Sequence, residues 1–184
     1  PAIFALSVAL SNVLFSMGLR PDMVAGHSLG EYSALVAGGA LDFEAGVSLV
    51  AARAACMQYA CEQKTGSMSA ILGLDAETVE TLCREMAGVV DVANFNSPEQ
   101  TVISGEPEAV GRAGEEAKKC GARKAVSLTV SGAFHSRLME PAAERYAAFV
   151  NSIDIGRPTA RFYPNVSAER TDETAQIQAN LLKQ

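Results

Sequence analysis

The spacing of apolar and polar residues divides the chain into two kinds of sequence. In residues 1–66, apolar positions recur at helical spacing between glycine and proline breaks. Residues 1–17 predict a buried helix, and residues 43–63 predict another helix, which Asp42 caps. A short apolar run at 23–25 predicts a strand that leads into a helix. A strand flanked by helices in this way favours a parallel sheet covered by helices.

From residue 67 to residue 126, strand-like apolar runs alternate with amphipathic stretches. The predicted order is strand, helix, strand, strand, helix, strand, which is typical of the ferredoxin-like pattern. We therefore predict a ferredoxin-like subdomain, 67–126, inserted into a discontinuous core of residues 1–66 and 127–184. A cleft is expected at the junction of the two, because substrate sites tend to form at such places.

A strand-to-helix turn in the core carries a serine between two glycines. The segment Gly26-His27-Ser28-Leu29-Gly30 has the pattern of a nucleophile elbow, which predicts an α/β-hydrolase-like core. Both glycines are expected because the tight turn leaves no room for a Cβ atom on either side of the serine. The Ser28 hydroxyl would lie at a helix N-terminus, where N–H groups and the positive end of the helix dipole stabilise an oxyanion.

A serine nucleophile needs a base, and the chain has only two histidines. His27 adjoins Ser28, so its side chain should diverge from the serine, and His135 is the candidate base. No aspartate lies at a strand end between the elbow and His135, where an α/β-hydrolase would have it. Either a carbonyl or amide orients the imidazole, or the acid is a residue that the pattern does not identify.

Arg53 lies in the middle of the apolar, alanine-rich helix predicted over 43–63. Such a residue either extends to water along its aliphatic stem or meets an anion. Its guanidinium could bind a substrate carboxylate through two hydrogen bonds, which a lysine does less well. The sequence leaves both possibilities open.

Composition and charge exclude several functions. The net charge is −6 and no block of lysine or arginine occurs, so we expect no nucleic-acid partner. The apolar N-terminal stretch lacks a basic region before it, which argues against a signal peptide or membrane span. The four cysteines form no Cys-x-x-Cys pair, so we expect free thiols, no metal site and a cytoplasmic location.

Four segments in this order resemble the malonyl-CoA:acyl carrier protein transacylase family, the discrete acyltransferases of bacterial type II fatty acid synthesis. The resemblance runs over essentially the whole chain. The segments are Gly26-His27-Ser28-Leu29-Gly30-Glu31-Tyr32-Ser33-Ala34-Leu35, Arg53-x-x-x-Met57-Gln58, Asn94-Phe95-Asn96-Ser97-Pro98-x-Gln100 and Val130-Ser131-Gly132-Ala133-Phe134-His135-Ser136.

The resemblance implies a role for each key residue. Ser28 would carry the malonyl ester, His135 would be the general base, and Arg53 would pair with the free carboxylate of malonate. Leu29 would donate one oxyanion N–H, and the main-chain carbonyl of Gln184 would orient the histidine. The other residues implied in substrate binding are Phe134, Met57 and Asn96.

The implied reaction transfers a malonyl group from malonyl-CoA to the phosphopantetheine thiol of acyl carrier protein. The protein would act as a cytoplasmic monomer without a cofactor. The family's N-terminal oxyanion segment and final strands are missing from the sequence, so we expect the native protein to be longer at both ends. A basic group could dock the carrier protein, with a merely solvated helix end as the alternative. It comprises Lys118, Lys119, Arg123 and Lys124.

Three other functions remain possible from the sequence. A serine thioesterase or esterase would share Ser28 and His135 but release its acyl group to water. The acyltransferase domain of a polyketide synthase is a closer alternative. The third is an inactive acyltransferase-like module that only docks a partner.

Overall fold

The computed structural model describes residues 1–184 and contains seven α-helices and six strands. The helices are α1 (Ala2–Ser16), α2 (Gly30–Ala37), α3 (Phe43–Gln63), α4 (Ala76–Glu85), α5 (Pro107–Lys119), α6 (Glu140–Ser152) and α7 (Thr174–Lys183). The strands are β1 (Met23–Ala25), β2 (Ser67–Leu72), β3 (Val90–Ser97), β4 (Gln100–Gly105), β5 (Lys124–Ser127) and β6 (Arg161–Tyr163). No helix combines the length and apolar character needed to cross a membrane.

The chain divides into two compact units. Unit 1 comprises Pro1–Ala55 and Ala143–Gln184, and unit 2 comprises Cys56–Ala142. Unit 2 thus extends beyond the segment 67–126 that the sequence predicts as a subdomain. One reason is that Gly66 packs directly on the backbone of Ala133, which holds the residues after β5 against those before β2.

Unit 1 is built on a two-stranded parallel sheet. Strands β1 and β6 pair in register, with Val24 opposite Phe162. Asp42 Oδ1 accepts a hydrogen bond from the Ala45 amide at 2.7 Å, so it caps α3 as the sequence predicts. The largest fully buried side chains of this unit come from its helices and from β6: Phe4, Tyr32, Leu35, Leu49, Phe162 and Ile177.

Helix α1 forms as predicted, but the prediction that it is buried is wrong. Only Phe4 and Val8 lie in the core, because α1 packs along a single stripe that contacts α2. Most other large apolar side chains of this region are 48–71 % exposed: Ile3, Leu6, Leu10, Val13 and Leu14 on the helix and Met17 directly after it.

Unit 2 contains a four-stranded antiparallel sheet in the order β3-β4-β2-β5. The strands and helices follow one another in the predicted order β-α-β-β-α-β. Helices α4 and α5 each bury one apolar face against the sheet, and Asp75 caps α4. Met68, Ala70 and Val102 form a smaller buried cluster, and Phe134 is one of the partly buried side chains that pack against it.

Candidate active site

Ser28 occupies the turn between β1 and α2 in an unusual backbone conformation. Its φ is 51°, in the left-handed region that residues with a side chain rarely adopt and that recurs at functional sites. A Cβ on Gly26 would collide with the backbone of Gly30 and Glu31, so the turn requires glycine there. A Cβ on Gly30 would meet open space. The prediction that both glycines are sterically required is therefore wrong for Gly30, because that residue begins an ordinary helix.

The amides of the turn have one distant and one local hydrogen-bond acceptor. The Ser28 amide donates to Asn165 Oδ1, and the Gly30 amide donates to the His27 carbonyl at 2.9 Å. Asn165 follows β6 as Ser28 follows β1, and the ends of neighbouring parallel strands meet at one edge of the sheet. The Leu29 amide takes part in neither bond, and its role as an oxyanion donor stays a prediction.

Arg53 points its guanidinium at the serine. One Nη atom of this half-buried residue donates to Ser28 Oγ at 3.1 Å and to Gln184 Oε1 at 3.0 Å. The Arg53 Cζ atom lies 5.8 Å from the centre of the Tyr32 ring, which is buried and bonded through its hydroxyl to Tyr146. Of the two possibilities left open by the sequence, the structure shows an arginine directed at the serine rather than at solvent.

Gln184 links Arg53 to a buried carboxylate. Its side chain accepts from Arg53 through Oε1 and donates from Nε2 to Glu31 Oε2. The resemblance assigns a role only to the main-chain carbonyl of Gln184, and that role stays a prediction. The side-chain bonds place Gln184 beside the arginine of the candidate site.

Glu31 is fully buried on α2, with 0 % of its surface exposed. Its Oε2 accepts from Gln184 Nε2 and, at 3.1 Å, from the Asn165 amide, whereas Oε1 has no hydrogen-bond partner. Burial raises the pKa of this carboxyl, while the bonds from Asn165 and Gln184 and the charge of Arg53 act in the opposite direction.

Sequence reasoning missed both Glu31 and Asn165. A signal for Glu31 was present, because it is a lone charge beside the apolar stretch Tyr32–Ala37, as Arg53 is in its own helix. A signal for Asn165 was its place directly after the strand 161–163. Neither signal shows that the two side chains meet the elbow, because that depends on the pairing of β1 with β6.

The remaining predicted residues lie in unit 2. His135 has a φ of 60°, which is also in the left-handed region. The Ser136 hydroxyl donates a hydrogen bond to the Ala133 carbonyl at 2.7 Å and stabilises this segment. Within this segment Gly132 packs directly on Cys61 Sγ, which leaves no room for a side chain. Phe134 is half-buried on the sheet, Met57 lies on α3 and Asn96 is exposed on β3.

The predicted basic docking group is largely neutralised by ion pairs. Three of its four members pair with glutamates of their own unit: Lys118 with Glu115 at 2.7 Å, Lys119 with Glu116 at 2.8 Å and Arg123 with Glu99 at 2.6 Å. All these side chains are exposed, so the pairs contribute little to stability. They nevertheless cancel most of the local positive charge, which favours the alternative of a solvated helix end.

A family model described as "Acyl transferase domain" matches residues 1–182. The chain belongs to the acyl transferase domain family. The resemblance stated from the four sequence segments is thereby confirmed at the level of the family, over almost the entire sequence.

Relatives of this acyl transferase domain carry one consistent name. The malonyl CoA-acyl carrier protein transacylase of Haemophilus influenzae is 44 % identical over 188 residues, covering 100 % of this chain. A solved structure of the corresponding protein from Coxiella burnetii is 42 % identical with a TM-score of 0.95. Equally similar in fold, at 42 % identity and a TM-score of 0.95, is a malonyl-transacylase solved in complex with a type II PKS acyl-carrier protein.

The chain spans only part of these proteins. It covers 60 % of the Haemophilus influenzae relative, 59 % of the Coxiella burnetii chain and 60 % of the transacylase in the complex.

Proposed function

We propose that this domain is part of a malonyl-CoA:acyl carrier protein transacylase that works through an ester on Ser28. The observation that carries the proposal is the 3.1 Å hydrogen bond from Arg53 to Ser28 Oγ. A cation held on a serine hydroxyl is placed to receive the carboxylate of an acyl group bound to that serine. A malonyl group has such a carboxylate, and the names of the relatives support this substrate.

The reaction consists of two acyl transfers. His135 takes the proton of Ser28 Oγ while this oxygen attacks the malonyl thioester, and the Leu29 N–H stabilises the resulting oxyanion. The carbon–sulfur bond breaks, and coenzyme A leaves as a thiol with the proton from His135. The phosphopantetheine thiol of the carrier protein then attacks the Ser28 ester through the same steps in reverse, which restores the serine hydroxyl.

Arg53 selects for an acid-bearing acyl group in this proposal. In the malonyl ester, one carbonyl and one methylene group separate the carboxylate from Ser28 Oγ. The guanidinium beside Oγ therefore reaches the carboxylate after a small displacement. Gln184 Oε1 accepts a hydrogen bond from one Nη atom of Arg53. Because the guanidinium is planar and rigid, this bond also fixes the directions of its other N–H groups.

The other parts of the proposal rest on the resemblance and on the neighbours. The resemblance implies that Phe134, Met57 and Asn96 contact the substrate and that the Gln184 carbonyl orients His135. The solved complex of a malonyl-transacylase with an acyl-carrier protein supports a carrier protein as the partner. The proposed protein is a cytoplasmic monomer that needs no cofactor.

We also propose that unit 1 is α/β-hydrolase-like and unit 2 is ferredoxin-like. The left-handed serine between a parallel strand and a helix supports the first assignment. The β-α-β-β-α-β order and the antiparallel strand order β3-β4-β2-β5 support the second.

The proposal is tested by acylating the full-length protein with malonyl-CoA and measuring its intact mass. The mass should rise by one malonyl group and return to its starting value after addition of phosphopantetheinylated carrier protein. Ser28→Ala should show no increase. Steady release of malonate to water would indicate a thioesterase instead, and an unlabelled wild-type protein would favour an inactive docking module.

Arg53→Ala and Arg53→Lys extend the same experiment to selectivity. Loss of a charged hydrogen bond costs about 1.5–3 kcal/mol, so Arg53→Ala should lower the kcat/KM ratio of malonyl-CoA to acetyl-CoA about 10- to 100-fold. Lysine keeps the charge without the planar fork and should retain part of the preference. An unchanged ratio in Arg53→Ala would contradict the assigned role.

A further inference from the structure

The buried carboxylate of Glu31 has no part in the proposed reaction, yet it is costly to maintain. An ionised group removed from water is unfavourable unless hydrogen bonds and opposite charges compensate it. Oε1 has no hydrogen-bond donor, and a buried acceptor left without a partner lowers stability. An apolar residue at this position would avoid both costs, but it would leave the Asn165 amide and Gln184 Nε2 without their acceptor.

The bonds made by Oε2 determine how Gln184 is oriented. Because a carboxylate only accepts hydrogen bonds, it fixes the Nε2 side of the Gln184 amide toward itself. The Oε1 side is then directed at Arg53, whose guanidinium only donates. Without the carboxylate the amide would be free to reverse, and its N–H group would then face the arginine.

The same oxygen also holds the elbow through Asn165. It accepts from the Asn165 amide at 3.1 Å, and the side chain of that residue accepts from the Ser28 amide. A residue in the left-handed region is strained and keeps that conformation only when its surroundings hold it there. One carboxylate oxygen therefore supports both the serine turn and the arginine.

We propose that Glu31 is a positioning residue that fixes Arg53, through Gln184, for the carboxylate of the acyl group and fixes the Ser28 turn through Asn165. This inference rests on the proposed function, since it concerns the same transfer. The side-chain hydrogen bonds of Glu31 go to Gln184 and Asn165 and not to Ser28 Oγ or Arg53. Its effect is on how well the enzyme distinguishes an acid-bearing acyl group from a neutral one.

The test compares Glu31→Ala, Glu31→Gln and Gln184→Ala by their kcat/KM ratios for malonyl-CoA over acetyl-CoA. Glu31→Ala removes the acceptor, and its ratio should fall about tenfold or more. Glu31→Gln keeps an acceptor oxygen at the same place and should restore most of the ratio. Gln184→Ala cuts the connection to Arg53 and should lose as much as Glu31→Ala.

A double variant shows whether the effect passes through Arg53. If Glu31 acts by positioning, Arg53→Ala combined with Glu31→Ala should have the same ratio as Arg53→Ala alone. A wild-type ratio in folded Glu31→Ala, or losses that multiply in the double variant, would overturn the inference. If Glu31→Ala does not fold, Gln184→Ala and its double variant with Arg53→Ala decide by the same criteria.

The two proposals fail in different ways. Absence of a malonyl ester on wild-type Ser28 refutes the proposed function itself, and an unchanged ratio in Arg53→Ala refutes the role of Arg53 on which this inference rests. A normal ester and a reduced ratio in Arg53→Ala, together with wild-type ratios in Glu31→Ala and Gln184→Ala, refute only the role of Glu31.

Discussion

At the scale of single residues, the candidate site depends on how a few polar groups constrain one another. Arg53 and Glu31 are opposite charges that do not bond directly, because the Gln184 amide lies between them in the bonding sequence. An amide relays orientation without transferring charge, since one end accepts and the other donates. The arginine is thus oriented without a direct salt bridge to the glutamate.

The ionisation of Glu31 predicts a pH-dependent stability. Burial raises its pKa above the ordinary 4.5, so the folded state binds the proton more tightly than the unfolded state. Its contribution to stability is therefore full below pH 4.5 and is lost as the pH rises through the raised pKa. Glu31→Gln does not titrate and should become more stable relative to wild type across that window.

Urea unfolding of both proteins at several pH values measures this difference. Other carboxyls with a lowered pKa, such as Asp75 and Glu106, are common to both proteins and cancel in the comparison. Arg53 is the charged group that faces Glu31, and it partly offsets the effect of burial. A constant difference at all pH values would show that Glu31 has an ordinary pKa in the folded protein.

At the scale of elements, the strand–turn–helix of the elbow requires glycine at position 26 but not at position 30. Gly26→Ala places a methyl group against the backbone of Gly30 and Glu31 and should lower the free energy of unfolding by about 1–3 kcal/mol or more. Gly30→Ala meets open space at a helix start and should raise it by about 0.5 kcal/mol. Denaturant unfolding measures both changes, and equal losses would contradict the structure.

Sequence pattern identified the elements well because helix and strand periodicity is local. The cap at Asp42, the elbow at Ser28 and the order of elements in unit 2 all depend on residues close together in the chain. The network around Glu31 joins it to Asn165 and Gln184, which lie far along the chain. Such contacts follow from strand pairing and helix placement, which no local pattern contains.

At the scale of the whole molecule, the apolar face of α1 is the feature that pattern described least well. Periodicity predicted a buried helix here, but it could not show which of the apolar residues pack on the core. Phe4 and Val8 are buried, whereas Leu10 and Val13 are 58 % and 56 % exposed. A contiguous exposed apolar face of this kind promotes association.

Substitutions on the two faces of α1 should separate stability from self-association. Leu10→Ser together with Val13→Ser should reduce association of this chain at high concentration and change its unfolding free energy by less than about 1 kcal/mol. Val8→Ser, the buried control, should lose about 2 kcal/mol. Sedimentation velocity and denaturant unfolding measure the two effects. Unchanged association in the double variant would show that this face of α1 does not mediate self-association.

The packing of Gly132 on Cys61 Sγ ties a thiol to the segment that carries His135. Oxidation of this sulfur adds oxygen where the backbone of Gly132 already lies, so it would displace the segment. Burial raises the pKa of the Cys61 thiol, which leaves less thiolate at neutral pH, and thiolate is the form that oxidants attack. The raised pKa of Cys61 therefore lowers the chance that oxidation displaces the segment that carries His135.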